Sequence, residues 1–254
     1  MKVHVWISVA IVAAIATRAR ADHHHMAMAA EPADAADFTA AVALVAASFE
    51  TMNYVGDYEG AVASATWTHD RVSVTATAPL YRLYENGAAF VGVGDVALAA
   101  HVALATADAA QLGVMAMVSA PTGNGDTGLG MGHAMAMPAV YGAWRWLAAS
   151  VGYSRALADL PRDHDHGVWP LVDPMNMSEL TWSASGEVPV RAVRFGARVS
   201  GGVPVGHLPG HTRVIGALRV AFGHGRVETA AELQGGLVGD PFTLRAVVET
   251  ALRF

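Results

Sequence analysis

From residue 58 onward apolar residues occupy every second position in runs of about ten to thirteen, the period of a strand and not of a helix. Leu112, Val114, Ala116 and Val118 share one face, opposite Gln111, Met115, Met117 and Ser119. Val96, Leu98, Ala100, Val102 and Leu104 alternate against Asp95 and His101, and Leu244, Ala246, Val248, Thr250, Leu252 and Phe254 against Arg245, Glu249 and Arg253. The pattern predicts twelve strands, at about 38–50, 58–68, 71–82, 93–105, 110–120, 132–142, 145–157, 178–187, 191–202, 211–222, 226–237 and 242–254. Residues 38–49 read equally as an amphipathic helix, which would leave an odd count of eleven.

A soluble sandwich also alternates, so the connections decide. Those near residues 69–71, 106–109, 143, 188–190 and 223–225 are tight, whereas 83–92, 121–131, 158–177 and 203–210 are long. Short turns on one rim and long loops on the other predict an all-β fold: an antiparallel transmembrane β-barrel of the outer membrane, its apolar band facing lipid and its interior polar. Tyr58, Trp67, Tyr81, Trp144, Trp146 and Trp182 lie near strand ends and suit interfacial girdles.

Composition narrows the class. Of 254 residues 53% are hydrophobic and only 15% charged, against roughly a quarter in ordinary soluble domains. After residue 21 no segment reaches the roughly 18 consecutive apolar residues of a helical span. The chain is too apolar for disorder, and 16 Lys and Arg against 22 Asp and Glu argue against nucleic acid as a partner. With no cysteine, His, Met and carboxylates are the remaining metal ligands.

Lys2, the apolar run 3–17 and Ala19-Arg20-Ala21 form an export signal, residues 1–21, with cleavage expected before Asp22. Its removal takes the formal charge from −6 to −9. Residues 22–37, rich in Ala, Pro and Asp, read as a flexible periplasmic tail carrying His and Met, and 38–254 as the barrel. Both barrel termini are expected in the periplasm. The last strand, ending at Phe254, looks like the signal by which barrel-assembly machinery receives such proteins.

Gly92, Gly94 and Asp95, the strand pair that follows, Ala120 to Gly123, and the loop ending Gly128, Gly130 and Gly132 resemble barrels of the outer-membrane transporter family of the phenol-degradation MetA-pathway type. The resemblance spans roughly residues 55–254. It implies a small outer-membrane barrel with a transport role and aromatic cargo.

Three groups of residues point elsewhere, to soft metal ions. A free amine at Asp22, with His24 in third place, could wrap Cu(II) or Ni(II) through the amine, two backbone amides and an imidazole, and adjacent His23 and His24, with Met26 and Met28, suit Cu(I), His25 standing beside them as a further candidate ligand. Met131, His133, Met135 and Met137 fall at strict twos, and His133 puts that face in the lumen. A hairpin pairing residues whose numbers sum to about 252 would set Met115 beside Met137, Met117 beside Met135 and Ser119 beside His133, with His101 near Met115. The longest loop supplies His164 and His166, then Met175, Met177 and Glu179. Thioether and imidazole together suit Cu(I) or Ag(I), whereas the plain reading is flexible methionines filling an interior.

Arg194, Arg198, Arg213, Arg219, Arg245 and Arg253 face inward with Glu228, Glu232 and Glu249. This set reads as a selectivity constriction or, better, as an ion-pair ladder bracing a narrow bore. No Gly-x-Ser-x-Gly elbow is present, and Gly123-Asn124-Gly125 lacks the Lys and Ser/Thr of a phosphate loop. A catalytic role is therefore not expected. The expected function is a passive channel or binding protein for small solutes, copper or another soft metal among them. The alternatives are a transporter of aromatic or hydrophobic molecules and a metal-binding or structural barrel without transport.

Overall fold

The computed structural model describes residues 33–50, 55–107, 109–157, 172, 175–206, 210–239 and 242–254, with side chains from Asp37. The export signal, Asp22 to His25, His164 and His166 lie outside the described residues. Thirteen strand segments are present among the described residues: β1 (Ala33–Glu50), β2 (Val55–Asp70), β3 (Val72–Glu85), β4 (Ala88–Val93), β5 (Val96–Ala107), β6 (Ala110–Ala120), β7 (Met135–Trp144), β8 (Leu147–Ala156), β9 (Ser178–Val190), β10 (Val193–Pro204), β11 (Arg213–His224), β12 (Val227–Val238) and β13 (Phe242–Arg253).

Apart from β4 and β5, consecutive segments pair antiparallel, and β1 pairs with both β2 and β13, which closes the sheet. Both β4 and β5 pair with β3, so they are one barrel strand interrupted at Gly94 and Asp95, and the barrel has twelve strands. Closure gives nearly every backbone group a partner, the condition for strands to cross hydrocarbon. The stretch 38–49 is strand and not helix, in register with β13 from Thr39 to Phe49. It begins five residues earlier than its pattern indicated, because the chain from Ala33 already runs beside β2.

The two faces follow the alternation. Val42, Leu44, Leu98, Leu112, Val140, Val151, Leu233 and Leu218, the last 67% exposed, point outward. Ala43, Val45, Tyr58, Tyr81, His101, Met137, Arg245 and Glu249 point inward and are buried. Tyr58 and Tyr81 are thus not girdle residues: each shares parity with an inward row, and their rings meet edge to face at 6.0 Å inside the barrel. Phe38, Trp67, Trp144, Trp146 and Phe254 are exposed at the rim of tight turns. There Phe38 lies opposite Trp67, and its ring is 5.8 Å from that of Phe254.

The tight turns place Asp70, Arg145, Arg191 and Gly225 at positive φ. One connection expected to be long is not. Residues 83–92 continue as strand through a hairpin whose turn, Asn86 (φ 46°) and Gly87 (φ 93°), has both residues left-handed. Asn-Gly is the residue pair this hairpin turn demands.

Candidate functional site

The interior is not uniformly polar. It holds three adjoining layers of side chains, one of thioethers, one of hydrocarbon and aromatic groups, and one of ion pairs.

Met135, Met137, Met175 and Met177 are buried together with Ala156, and Met117 and Met131 pack against them. Met117 comes from β6, Met135 and Met137 from β7, and Met175 and Met177 from the end of the longest loop. Two groups separate in the sequence are therefore one cluster in space. The β6–β7 register sums to 254 and not 252: Met117 faces Met137, Ser119 faces Met135, and Met115 faces Ala139. The two-residue difference keeps parity, so every side chain stays on its expected face. The strand begins at Met135, so Met131 and His133 belong to the loop before it; His133 is nonetheless buried. His101 faces Met115 as expected, with its ring 5.9 Å from that of Tyr141.

What fixes Met175 and Met177 is the residue between them. Asn176 donates from Nδ2 to Glu179 Oε2 (2.5 Å) and to the His211 carbonyl (3.0 Å), and its Oδ1 accepts from the His211 N–H (2.9 Å). Met177 also accepts a backbone bond from Ala156 (2.8 Å). Pattern reading passed over Asn176, because nothing local marks an amide that bridges two loops 35 residues apart.

The second layer fills the mouth at the loop rim. Phe49, Tyr58, Tyr81, Leu83 and Phe242 from the wall surround Leu129 and Val172 from the loops, with Phe90 against them. Leu129 is held there by Asp95, whose Oδ1 accepts the Gly123 N–H (2.9 Å) and whose Oδ2 accepts that of Met131 (2.7 Å). Thr122 bridges the strand break, accepting from the Val96 N–H (2.9 Å) and donating to the Gly94 carbonyl (2.7 Å). A Cβ on Gly130 would stand 2.5 Å from Asp95 Oδ1, so only glycine lets the loop close on this carboxylate. The residues that carry the family resemblance form a single device, one that folds loop 121–134 into the mouth.

The third layer climbs the wall from β9 to β13. Arg194 pairs with Glu187 (2.5 Å) and Glu228, Arg219 approaches Glu187 at 3.8 Å, and Arg198 bonds Glu232 at 2.6 Å. Gln234 donates to Glu232 (2.7 Å) and accepts from Arg245 (2.6 Å), which lies 4.5 Å over the Phe242 ring. Glu249 is buried on the same face. Arg253 has inward parity but lies at the turn rim, paired with Asp37. Glu179 was grouped with the methionines on its spacing; it is instead fully buried against Arg213 at 2.6 Å, so its charge belongs to the ladder. Among the described residues no three His, Asp or Glu side chains converge on a site for a metal ion.

A closed antiparallel sheet, greasy outside and braced by charge pairs inside, is the fold of an outer-membrane β-barrel, and this chain has it. Among similar solved structures is the COG4313 outer membrane channel from Pseudomonas putida F1, with a TM-score of 0.64 and 10% identity over 93% of this chain and 100% of that one. Another is the translocator domain of the autotransporter NalP from Neisseria meningitidis, with a TM-score of 0.54 and 13% identity over 86% and 88%. No family model matches the chain, and no curated protein matches it. The fold implied by the family resemblance is the fold found, and it puts the protein in the outer membrane.

Proposed function

We propose that this barrel is a passive route or binding protein for small solutes in the outer membrane, and that its cargo is a soft metal ion such as Cu(I). The observation that supports this is the convergence of six methionines, from two strands and two loops, on one inward cluster. Thioethers are neutral and polarisable, so they bind soft cations without the charge that would trap them, and a chain of weak sites suits passage. Buried His133 adjoins the cluster in sequence, and the His101 and Met115 pair continues it along the wall. In this reading the tight-turn rim and both barrel termini face the periplasm, Phe254 presents the last strand to the assembly machinery, and Asp22 with His23, His24 and His25 receives the ion as a free N-terminal tail.

Replacing Met135 and Met137 with Leu keeps volume and apolarity, so the fold should persist. The test is competition of Cu(I) against a chromophoric chelator, using folded barrel that lacks residues 22–28. The double variant should bind at least tenfold more weakly, and unchanged affinity would reduce the cluster to packing. A second reading, an aromatic or hydrophobic solute, is favoured by the ring-lined mouth of Phe49, Tyr58, Tyr81 and Phe90. Comparing copper with phenol uptake in cells with and without the protein separates the two.

A further inference from the structure

The rim of tight turns is ringed by arginine. Its connections are two-residue turns, closed by the pairs His69 and Val72, Ala107 and Ala110, Trp144 and Leu147, Val190 and Val193, and His224 and Val227. All but one hold an exposed arginine among their two turn residues: Arg71, Arg145, Arg191 and Arg226. The exception, between β5 and β6, has the sequence Asp108-Ala109. Arg253, at the end of β13, lies on the same level, its N–H bonding the Arg226 carbonyl (2.9 Å). Turn chemistry does not ask for these side chains. Arg145 (φ 53°) and Arg191 (φ 57°) occupy the left-handed first position, which Gly225 fills between β11 and β12 and which glycine, asparagine or aspartate take most easily.

The described carboxylates do not take up this charge. Arg253 pairs with Asp37, and Asp70 stands exposed beside Arg71, but Arg145, Arg191 and Arg226 form no ion pair among the described residues. Inside the barrel, by contrast, Arg194 near the same rim is neutralised by Glu187 and Glu228. The ring lies at headgroup level. Arg145 sits between exposed Trp144 and Trp146, its guanidinium 5.1 Å over the Trp144 ring. Indoles settle where hydrocarbon meets water, so the charges beside them reach lipid phosphates. Distribution decides the kind of partner: the turns are spread around the circumference, from β2–β3 to the end of β13. A compact ligand could meet one or two of these arginines, whereas an annulus of lipid meets them all. At the opposite rim β1 to β3 carry Glu50, Asp57, Glu59 and Glu85 against Arg82, so charge is divided along the barrel axis.

We propose that the tight-turn rim is a binding surface for anionic glycerophospholipid, its arginines holding the headgroup phosphates. The guanidinium fork matches phosphate oxygens, and basic groups at the edge of a membrane are drawn to an anionic lipid surface. The surface uses neither the thioether cluster nor the ion-pair ladder, so it stands apart from any reading of the cargo.

Spin-labelled lipids test this. The full chain is reconstituted in phosphatidylcholine vesicles with a trace of phosphatidylglycerol or phosphatidylcholine labelled on the acyl chain, and the motionally restricted fraction is read by electron paramagnetic resonance at low salt. Phosphatidylglycerol should be preferred by at least about threefold, and the preference should fall toward one in about 1 M salt. The Arg71→Gln, Arg145→Asn, Arg191→Asn, Arg226→Gln variant should lose it, asparagine being chosen for the left-handed positions, while Arg82→Gln at the other rim should keep it. No preference in the parent, which would leave the ring to a soluble polyanion, or a preference that survives loss of the four arginines, would overturn the proposal. Should that variant not fold, phosphatidylglycerol with a photoreactive headgroup maps the site on the parent. Crosslinks at residues 67–72, 144–147, 190–193 and 224–227 support the proposal, and crosslinks at the loop rim overturn it.

Discussion

Asp95 interrupts a strand and uses both carboxylate oxygens on backbone N–H groups of a loop 28 and 36 residues away. Each bond to a charged acceptor contributes about 1.5–3 kcal/mol, so Asp95→Ala should weaken loop docking by about 3 kcal/mol or more. Limited proteolysis of the folded barrel reads this directly: cleavage within 121–134 should become fast in Asp95→Ala, intermediate in Asp95→Asn, which keeps one acceptor, and stay slow in the parent. Glu179 is a different case, a carboxylate removed from water against Arg213. Breaking a buried pair costs about 3–5 kcal/mol, because the remaining charge stays behind. Glu179→Ala should therefore lower stability by about that much in urea unfolding, and it should also loosen Met175 and Met177, whose anchor Asn176 bonds the same carboxylate. Parity put Asp95, Glu179 and every arginine of the ladder on the correct face. Which charge meets which depends on the stagger between strands, and alternation carries no information about stagger.

At the scale of the strand, one face meets lipid and the other meets neighbours. Leu218 lies at the middle of β11, opposite Ala197 and Leu233, and projects outward. An arginine at that depth costs about 2–4 kcal/mol in a transmembrane barrel. Leu218→Arg should show that loss in refolding titrations into vesicles, although Arg219, one residue further on, is accommodated by Glu187 inside. The alternation that predicts this was plain in the chain, and so were the twelve strands and their turns. Two elements were not. The β3–β4 hairpin was hidden because its strands rise beyond the apolar band, where Arg82 and Glu85 blur the period, although Asn86-Gly87 is a strong local signal. The break at Gly94 and Asp95 shows in the chain only as a slip of phase, outward Val91 and Val93 giving way to outward Val96 and Leu98; only the returning loop shows why the strand parts there.

At the scale of the whole molecule, twelve strands enclose a bore intermediate between a filled eight-stranded barrel and an open porin. Here the mouth is closed by side chains delivered from loops: Leu129 and Val172 among Phe49, Tyr58, Tyr81 and Phe242. A polar lumen was expected because inward rows near the C-terminus are rich in charge. Toward the loop rim the inward rows of β1 to β3 are apolar, however, with Ala43, Val45, Phe49, Val62 and Leu83 buried, and they accept the loop as a core accepts a helix; buried Ser64, Thr68 and Ser73 lie on the same rows nearer the tight turns. In the channel reading proposed above, passage along the axis is expected to be limited at the loop rim and not at the ion-pair ladder. Replacing residues 124–130 by a short Gly-Ser link removes Leu129 and the chain Asp95 draws inward, while leaving every barrel strand intact. Single-channel conductance in planar bilayers should rise several-fold, and glucose-sized solutes excluded by the parent should swell liposomes carrying the variant. Arg198→Ala, which opens the ladder lower down, should change ion selectivity with little change in conductance. The reverse pattern, a small effect of the loop and a large one of the ladder, would place the constriction in the charged layer instead.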